Sequence, residues 1–413
     1  MATIRNVYRQ QVLLETRAGM RVLLLPAWYL PEGGQFVRHQ AIALREQGVD
    51  VRILANVTLG WHKYKWQAFN VASYPLTHFF IEEDGIQVLR SYTRPVPKAT
   101  VLNIRLWTRR TLRMYDAYVQ QYGHPDLIHA HSATWAAYAA ALIKQKYGTP
   151  YVLTEHRGMF GCRSDYAREF FRKEFEPFFR IGFSSASCII PVSDQLIPTI
   201  RTYCDKDVPF RVISNMVDTD FFCPLPRTRA GQKVEFVSVN GFYREKGYDI
   251  LLPAWDLLCD RRKDVHLTIV GENFDRPDFK VLWSSCRHQE RVTFTGELTR
   301  DGVRESLRKA DAFVISSRVE AEPVAVLEAM STGLPVVASN VVPEYEMPSS
   351  CGIRVPVEDP VALADALDRM ADSFGRYDSA AIRNHTISIA SRRNVTAQLI
   401  DVYRPLTLMD RLR

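Results

Sequence analysis

The 413-residue chain is too long for one ordinary core, and 46% hydrophobic with 24% charged residues excludes a disordered or fibrous protein. Its net charge of +7 is uneven: residues 1–200 hold 24 Lys and Arg against 15 Asp and Glu, a balance that suits an anionic partner such as a phosphorylated acceptor or anionic lipid. No apolar run approaches the roughly 18 residues of a membrane span, and the seven cysteines stand at no CxxC or metal-ligand spacing, so a cytoplasmic protein with reduced thiols is expected.

Residues 1–19 lack strong periodicity and read as an N-terminal extension without a signal-like apolar core. Arg21–Pro26 is the first buried strand, followed by the turn Gly33-Gly34 and a helix over 35–47 with Phe36, Val37, Ala41 and Leu44 on one face. A Gly-Gly pair between strand and helix lets the backbone approach an anion closely, although it is no GxGxxG fingerprint. Residues 49–54 form the next strand. An aromatic-rich stretch, 58–97, holds Trp61, Tyr64, Trp66 and Phe69 and one strand near 86–90.

A basic amphipathic helix is expected over 101–122, with Arg105, Arg109 and Arg113 at four-residue intervals beside Leu102, Leu106 and Leu112. This pattern fits a lipid-facing surface or a solvated outer face. Strand 126–130 precedes His131 and an Ala-rich helix over 134–147; strand 151–154 precedes His156. Both histidines fall at carboxyl ends of parallel strands, on the same crevice, where a functional role competes with structural hydrogen bonding. They lack the further ligands of a zinc site. A helix over 166–181, strand 188–192 and helix 194–203 complete the first strand–helix array.

After a crossing near 210–218 and a Pro/Arg-rich linker, the alternation restarts with strand 234–239. The turn Asn240–Gly247 carries Lys246 just ahead of a helix N-terminus, where an ammonium can meet a diphosphate and Gly247 permits close approach. Further strands at 266–270 and 292–295 and a helix at 301–309 lead to the most informative stretch, Ala312–Asn340. It reads as strand, polar turn, helix, strand, with Pro323 opening the helix and Gly333 ending it. Glu320 lies on the turn and Glu328 about one and a half turns into the helix. Two carboxylates flanking an anion-binding helix end suit a nucleotide sugar, since one carboxylate can accept from both ribose hydroxyls. Helices at 360–372 and 378–390 follow. Two such arrays predict an α/β protein of two doubly wound domains.

The motifs AWYLPEGGQFVRHQ, DLIHAHS with TEHRG, PVSDQL with ISNMVDTDFF, REKGYDILL, LTIVGE, VTFTG and the E-x7-E segment from Glu320 to Glu328 occur in one order. In that order they resemble retaining glycosyltransferases of family 4, in particular enzymes of bacterial capsule, exopolysaccharide, lipopolysaccharide or teichuronic-acid assembly. The resemblance implies the GT-B fold, two Rossmann-like domains facing a central cleft. It implies an acceptor-side domain over 20–207, a nucleotide-sugar domain over 208–385, and a segment 386–413 crossing back to the first domain. It also implies a cytoplasmic hexosyltransferase, peripheral at the inner membrane, that moves a sugar from a nucleoside diphosphate donor to a polyprenyl-diphosphate-linked oligosaccharide. Neither metal nor other cofactor is implied, and the scattered basic residues form no nucleic-acid recognition module.

Carried over by residue, Glu320, Lys246 and His131 would be catalytic. Glu328, Arg244, Gly247, Gly241 and Gly296 would bind the donor, the base being met by main chain near Thr295-Gly296. Gly33, Gly34, Arg38 and His156 would line the acceptor or phosphate side. The chain departs from the family pattern twice: Gly241 stands where an Arg is usual, with Arg244 as a substitute, and Ala321-Glu322-Pro323 replaces a glycine-containing turn. Pro323 removes one backbone donor. The alternative these departures support is a catalytically degenerate subunit of a polysaccharide assembly complex; an epimerase of the same fold is a third option.

Overall fold

In the computed structural model, residues 19–31, 33–60, 74–161, 171–225 and 233–411 are described. Trp61, Tyr64, Trp66 and Phe69 of the aromatic stretch therefore lie outside the described residues, as do the extension up to residue 18 and most of the linker. Contacts divide the chain into two units. The first runs to Phe160, continues through Met216 and takes the chain back from Val395; the second is Val217–Asn394.

The first unit contains β1 (Arg21–Pro26), α1 (Gln35–Glu46), β2 (Asp50–Thr58), β3 (Phe79–Glu83), β4 (Ile86–Thr93) and α2 (Thr100–Tyr122). Then come β5 (Leu127–His131), α3 (Tyr138–Tyr147), β6 (Tyr151–Glu155), α4 (Glu176–Ser184), β7 (Cys188–Pro191) and the short α5 (Ile197–Arg201). Its sheet has the order β3-β4-β2-β1-β5-β6-β7, parallel except where β3 pairs antiparallel with β4. The hairpin that adds β3 turns at Asp84-Gly85, both at positive φ, the backbone that a tight two-residue turn requires.

Helix α2 is pinned to β2 by a reciprocal pair. Trp107 Nε1 donates to the Asn56 carbonyl at 2.7 Å, and Asn56 Nδ2 donates to the Trp107 carbonyl at 3.0 Å. With Ile104, Trp107 and Met114 buried, the helix leaves Leu102, Arg105, Leu106, Arg109 and Arg113 exposed.

The second unit contains β8 (Val234–Val239), α6 (Tyr248–Arg261), β9 (Val265–Val270), α7 (Pro277–Ser284), β10 (Val292–Gly296) and α8 (Arg300–Lys309). They are followed by β11 (Ala312–Ile315), α9 (Val324–Ser331), β12 (Val336–Ser339), β13 (Gly352–Val355), α10 (Pro360–Ser373) and α11 (Ser379–Ala390). The sheet is parallel in the order β10-β9-β8-β11-β12-β13, and one apolar core lies on each face. Strands covered on both faces read as continuous apolar runs, as in AFVI of β11 and VVAS of β12. The last helix, α12 (Arg392–Arg411), gives Val395, Leu399, Ile400 and Tyr403 to the core of the first unit.

Three sequence expectations change. The helix expected from residue 134 begins only at Tyr138, because Thr134 (φ −75°, ψ 142°) and Trp135 (φ 69°, ψ −72°) are non-helical. Of the expected helix 166–181, residues 166–170 lie outside the described residues, and the described remainder holds a turn at Lys173–Phe175 followed by α4, with Pro177 in its first turn. Residues 194–203 hold a single 3₁₀ turn and α5 rather than one helix. Pro and aromatic content in these stretches breaks local periodicity, so tertiary packing decides the ends.

Candidate active site

In the second sheet the chain passes from β8 to β9 on one side and later enters β11 on the other. Their carboxyl ends therefore frame the topological switch point at which open α/β sheets bind ligands. Two loops supply its side chains, 240–247 after β8 and 316–323 after β11. Lys246 Nζ donates to Glu320 Oε1 at 2.7 Å, and Ser317 Oγ donates to the same oxygen at 2.6 Å. The two loops are sewn together by Ser316 Oγ, which bonds the carbonyls of Lys246 and Gly247 at 3.0 and 2.9 Å. Arg318 adds a fork to Asp249, two bonds of 2.8 Å, and donates to the Arg244 carbonyl. Such bidentate ion pairs fix geometry as well as charge.

Gly247 sits at φ 69°, and a Cβ there would fall 2.2 Å from the Ser316 carbonyl oxygen. Gly247→Ala is therefore expected to destabilise the protein by about 1–3 kcal/mol and to displace Lys246. Thermal unfolding checks it; an unchanged midpoint would remove this account of the loop.

Glu328 lies in the second turn of α9, partly buried. Burial pushes its carboxyl up to about 7, opposed in part by the charge of Arg300. Arg300 in turn pairs with Asp218 at 3.0 Å. A Cβ at Gly241 would meet the Tyr243 ring at 2.7 Å and Glu272 at 2.9 Å, so a side chain there requires the exposed Tyr243 and Glu272 to move aside. Arg244 is exposed and lines a pocket with Phe242, Tyr243, Tyr248, Asp249 and Arg276. Gly296, at φ 74°, ends β10 and accepts from the Gly271 N–H at 3.0 Å. Gly271 is a further tight point, not expected from the sequence, its Cβ position being 2.0 Å from the Asn240 carbonyl oxygen.

In the first sheet the switch point lies between β1 and β5. His131 ends β5 in register with Pro26. The rings of His129, His131 and His156 stack with centroids 4.2 and 5.4 Å apart. His129 is fully buried between Thr154 and Tyr403, at 2.6 Å each, and burial lowers it to about 3. His156 is 3.1 Å from His131 and 2.9 Å from Asn215, so the sequence-predicted histidines do meet. Gly33 and Gly34 stand at φ 101° and 75° at the N-terminus of α1. Arg38, one turn on, is paired with Asp84 at 2.6 Å.

The pattern described as Glycosyltransferase Family 4 matches residues 33–221, and that described as Glycosyl transferases group 1 matches 233–373. Together they take in both switch points. The chain belongs to the GT-B glycosyltransferases of family 4.

A Bacillus subtilis protein named for teichuronic acid biosynthesis, TuaC, is 30% identical over 62% of this chain; the chain spans 64% of its length. Glycogen synthase of Mycobacterium tuberculosis is 25% identical over 86% of each protein. Sucrose-phosphate synthase from Thermosynechococcus elongatus superposes with a TM-score of 0.75 at 20% identity, covering 94% of this chain and all of that one. Anabaena HepE in complex with UDP gives 0.68 at 15% identity, covering 93% and 99%.

In this family-4 chain, Glu346 was not foreseen. It is fully buried with neither carboxyl oxygen hydrogen-bonded among the described residues. Burial, then the charges of Glu322 and Glu320, hold its carboxyl well above the usual range, which favours its protonated form. Ser317, Arg318 and Glu346 carry no motif signal; their relevance arises from packing alone. Among the described residues, no group of three or more His, Cys, Asp or Glu could hold a metal ion.

Proposed function

We propose that the protein transfers a sugar, with retention of anomeric configuration, from a nucleoside diphosphate sugar to a polyprenyl-diphosphate-linked oligosaccharide of a cell-surface polysaccharide. The contact of Lys246 with Glu320 at the switch point carries this reading. As the bond from the anomeric carbon to the diphosphate breaks, its electron pair goes to the leaving oxygen. An ammonium next to the N-terminus of α6 stabilises that charge. Glu320 accepts from sugar hydroxyls and Glu328 from the ribose diol. His131 contacts the donor sugar, and Gly33, Gly34 and the N-terminus of α1 serve the acceptor or phosphate side.

In this reading the diphosphate charge is met by Lys246 and helix ends, so a chelator leaves the rate unchanged. The nucleotide in the HepE complex and the TuaC name support the donor class and a polymer product. The test is donor turnover by the purified full chain across UDP-, ADP- and GDP-sugars, with and without a lipid-linked acceptor. Absence of both hydrolysis and transfer for every donor would favour the degenerate subunit, for which Pro323 and the crowded Gly241 speak.

The lipid-linked acceptor rests on the outer face of α2. Leu102 and Leu106 are 48% and 43% exposed beside exposed Arg105, Arg109 and Arg113. Arg110, half-buried on the same helix, is pulled below the usual range chiefly by burial, then by Arg113 and Arg94. No helix among the described residues is long and apolar enough to cross a membrane. Basic charge plus apolar side chains on one face favours an anionic bilayer surface. Flotation with phosphatidylglycerol vesicles is expected to carry the protein upward at low salt. The Arg105→Glu/Arg109→Glu variant should remain at the bottom. Equal flotation with neutral vesicles would defeat the electrostatic part.

A further inference from the structure

The first unit holds a hydrogen-bond chain whose direction follows atom by atom. Asn215 Oδ1 can only accept, so at 2.9 Å it takes the proton of His156 Nδ1. Burial lowers His156 to about 4 and holds His131 well below the usual histidine range. At neutral pH each ring therefore carries a single N–H. His156 Nε2 is then a bare acceptor, and His131 Nδ1, 3.1 Å away, donates to it. His131 Nε2 is left with a lone pair and no proton. That atom is buried and has no hydrogen-bond partner among the described residues.

Two more buried polar atoms on the same loop, Ser132 Oγ and Thr134 Oγ1, also lack partners. The loop is held by Glu155, whose Oε2 accepts from the Ala133 N–H at 2.6 Å. Ser132 and Trp135 sit at φ 81° and 69°, conformations that persist only where the surroundings enforce them. Orphaned buried polar atoms in a native fold call for a ligand or water to complete them.

We infer that His156 and Asn215 are positioning residues that hold His131 in its Nδ1–H form, so that Nε2 accepts a hydrogen bond from a substrate hydroxyl. A histidine side chain free in water prefers the opposite tautomer, so this form is imposed by its neighbours. A lone pair rewards a hydroxyl and repels a carboxylate. The loop therefore selects a neutral, hydroxylated sugar over a uronate at this point. Only the identity of the hydroxyl's owner rests on the donor reading above; the tautomer does not.

The test is long-range proton–nitrogen correlation spectroscopy of the full chain, isotope-labelled at histidine, at neutral pH, with His131→Asn assigning the signal. The expected spectrum shows His131 protonated at Nδ1 and bare at Nε2, and Asn215→Leu shifts it toward the Nε2–H form. A wild-type His131 protonated at Nε2 would overturn the inference whatever the Asn215 variant does. So would an Asn215→Leu spectrum identical to wild type. UDP-glucose, ADP-glucose and GDP-mannose are then added in turn. A donor that binds should move the Nε2 resonance toward a hydrogen-bonded acceptor, and binding with no movement would refute the hydroxyl assignment. Failure of all three to bind counts against the donor reading, while the tautomer stands or falls on the ligand-free spectra.

Discussion

Lys246→Ala is expected to lower kcat for donor turnover by about 10²–10³-fold, or roughly 3–4 kcal/mol of transition-state stabilisation. The loss falls on kcat more than on KM, because the charge that Lys246 meets grows as the glycosidic bond breaks. The substitution also leaves Glu320, 9% exposed at its side chain, with only Ser317 on the oxygen the two share. Some stability is therefore lost with the rate. Glu320→Gln is the matching control, since its amide oxygen can still accept from Ser317 and Lys246. It should fold as the wild type does and lose activity through weaker hold on the sugar hydroxyls. Steady-state transfer assays on both variants, with circular dichroism for the fold, decide the matter. A Lys246→Ala enzyme at full kcat would place the chemistry elsewhere.

Glu328→Ala is expected to weaken nucleotide binding by roughly 10–100-fold, the worth of one or two hydrogen bonds to a carboxylate. The pH dependence carries the sharper signature. Burial raises the folded-state carboxyl to about 7 from its ordinary 4.5, so between those values the folded protein holds a proton that the unfolded chain has released. Stability from this group is thus present at low pH and is lost as pH rises through 7. Glu328→Gln should accordingly gain on the wild type as pH increases. Ribose hydroxyls bind the ionised form, so nucleotide affinity should rise by up to about tenfold per pH unit below 7, with proton release on binding. Calorimetry of UDP, ADP and GDP in two buffers of different ionisation enthalpy measures that proton. A pH-independent affinity with no proton released would contradict the ribose assignment.

Much of this was legible along the chain because the relevant signals are local. Apolar strands ending in polar turns located β1, β5, β8 and β11. Gly247 and the E-x7-E spacing located the two loops at the second switch point, because a helix turn and a close backbone approach each restrict residue type at a fixed position. The Asp84-Gly85 hairpin is less legible. Its outer strand β3 has exposed Phe80 and Ile81, so it lacks the alternation that normally marks a strand.

The order of strand and helix, the two-array plan, and the residue types at both switch points follow from hydrophobic period and turn chemistry, which act over a few residues. The pairing of Lys246 with Glu320, the raised carboxyls of Glu346 and Glu328 and the Asn215–His156–His131 chain depend on side chains far apart in sequence. Burial and hydrogen-bond direction are properties of a packed environment, and no run of residues encodes them until the chain has folded.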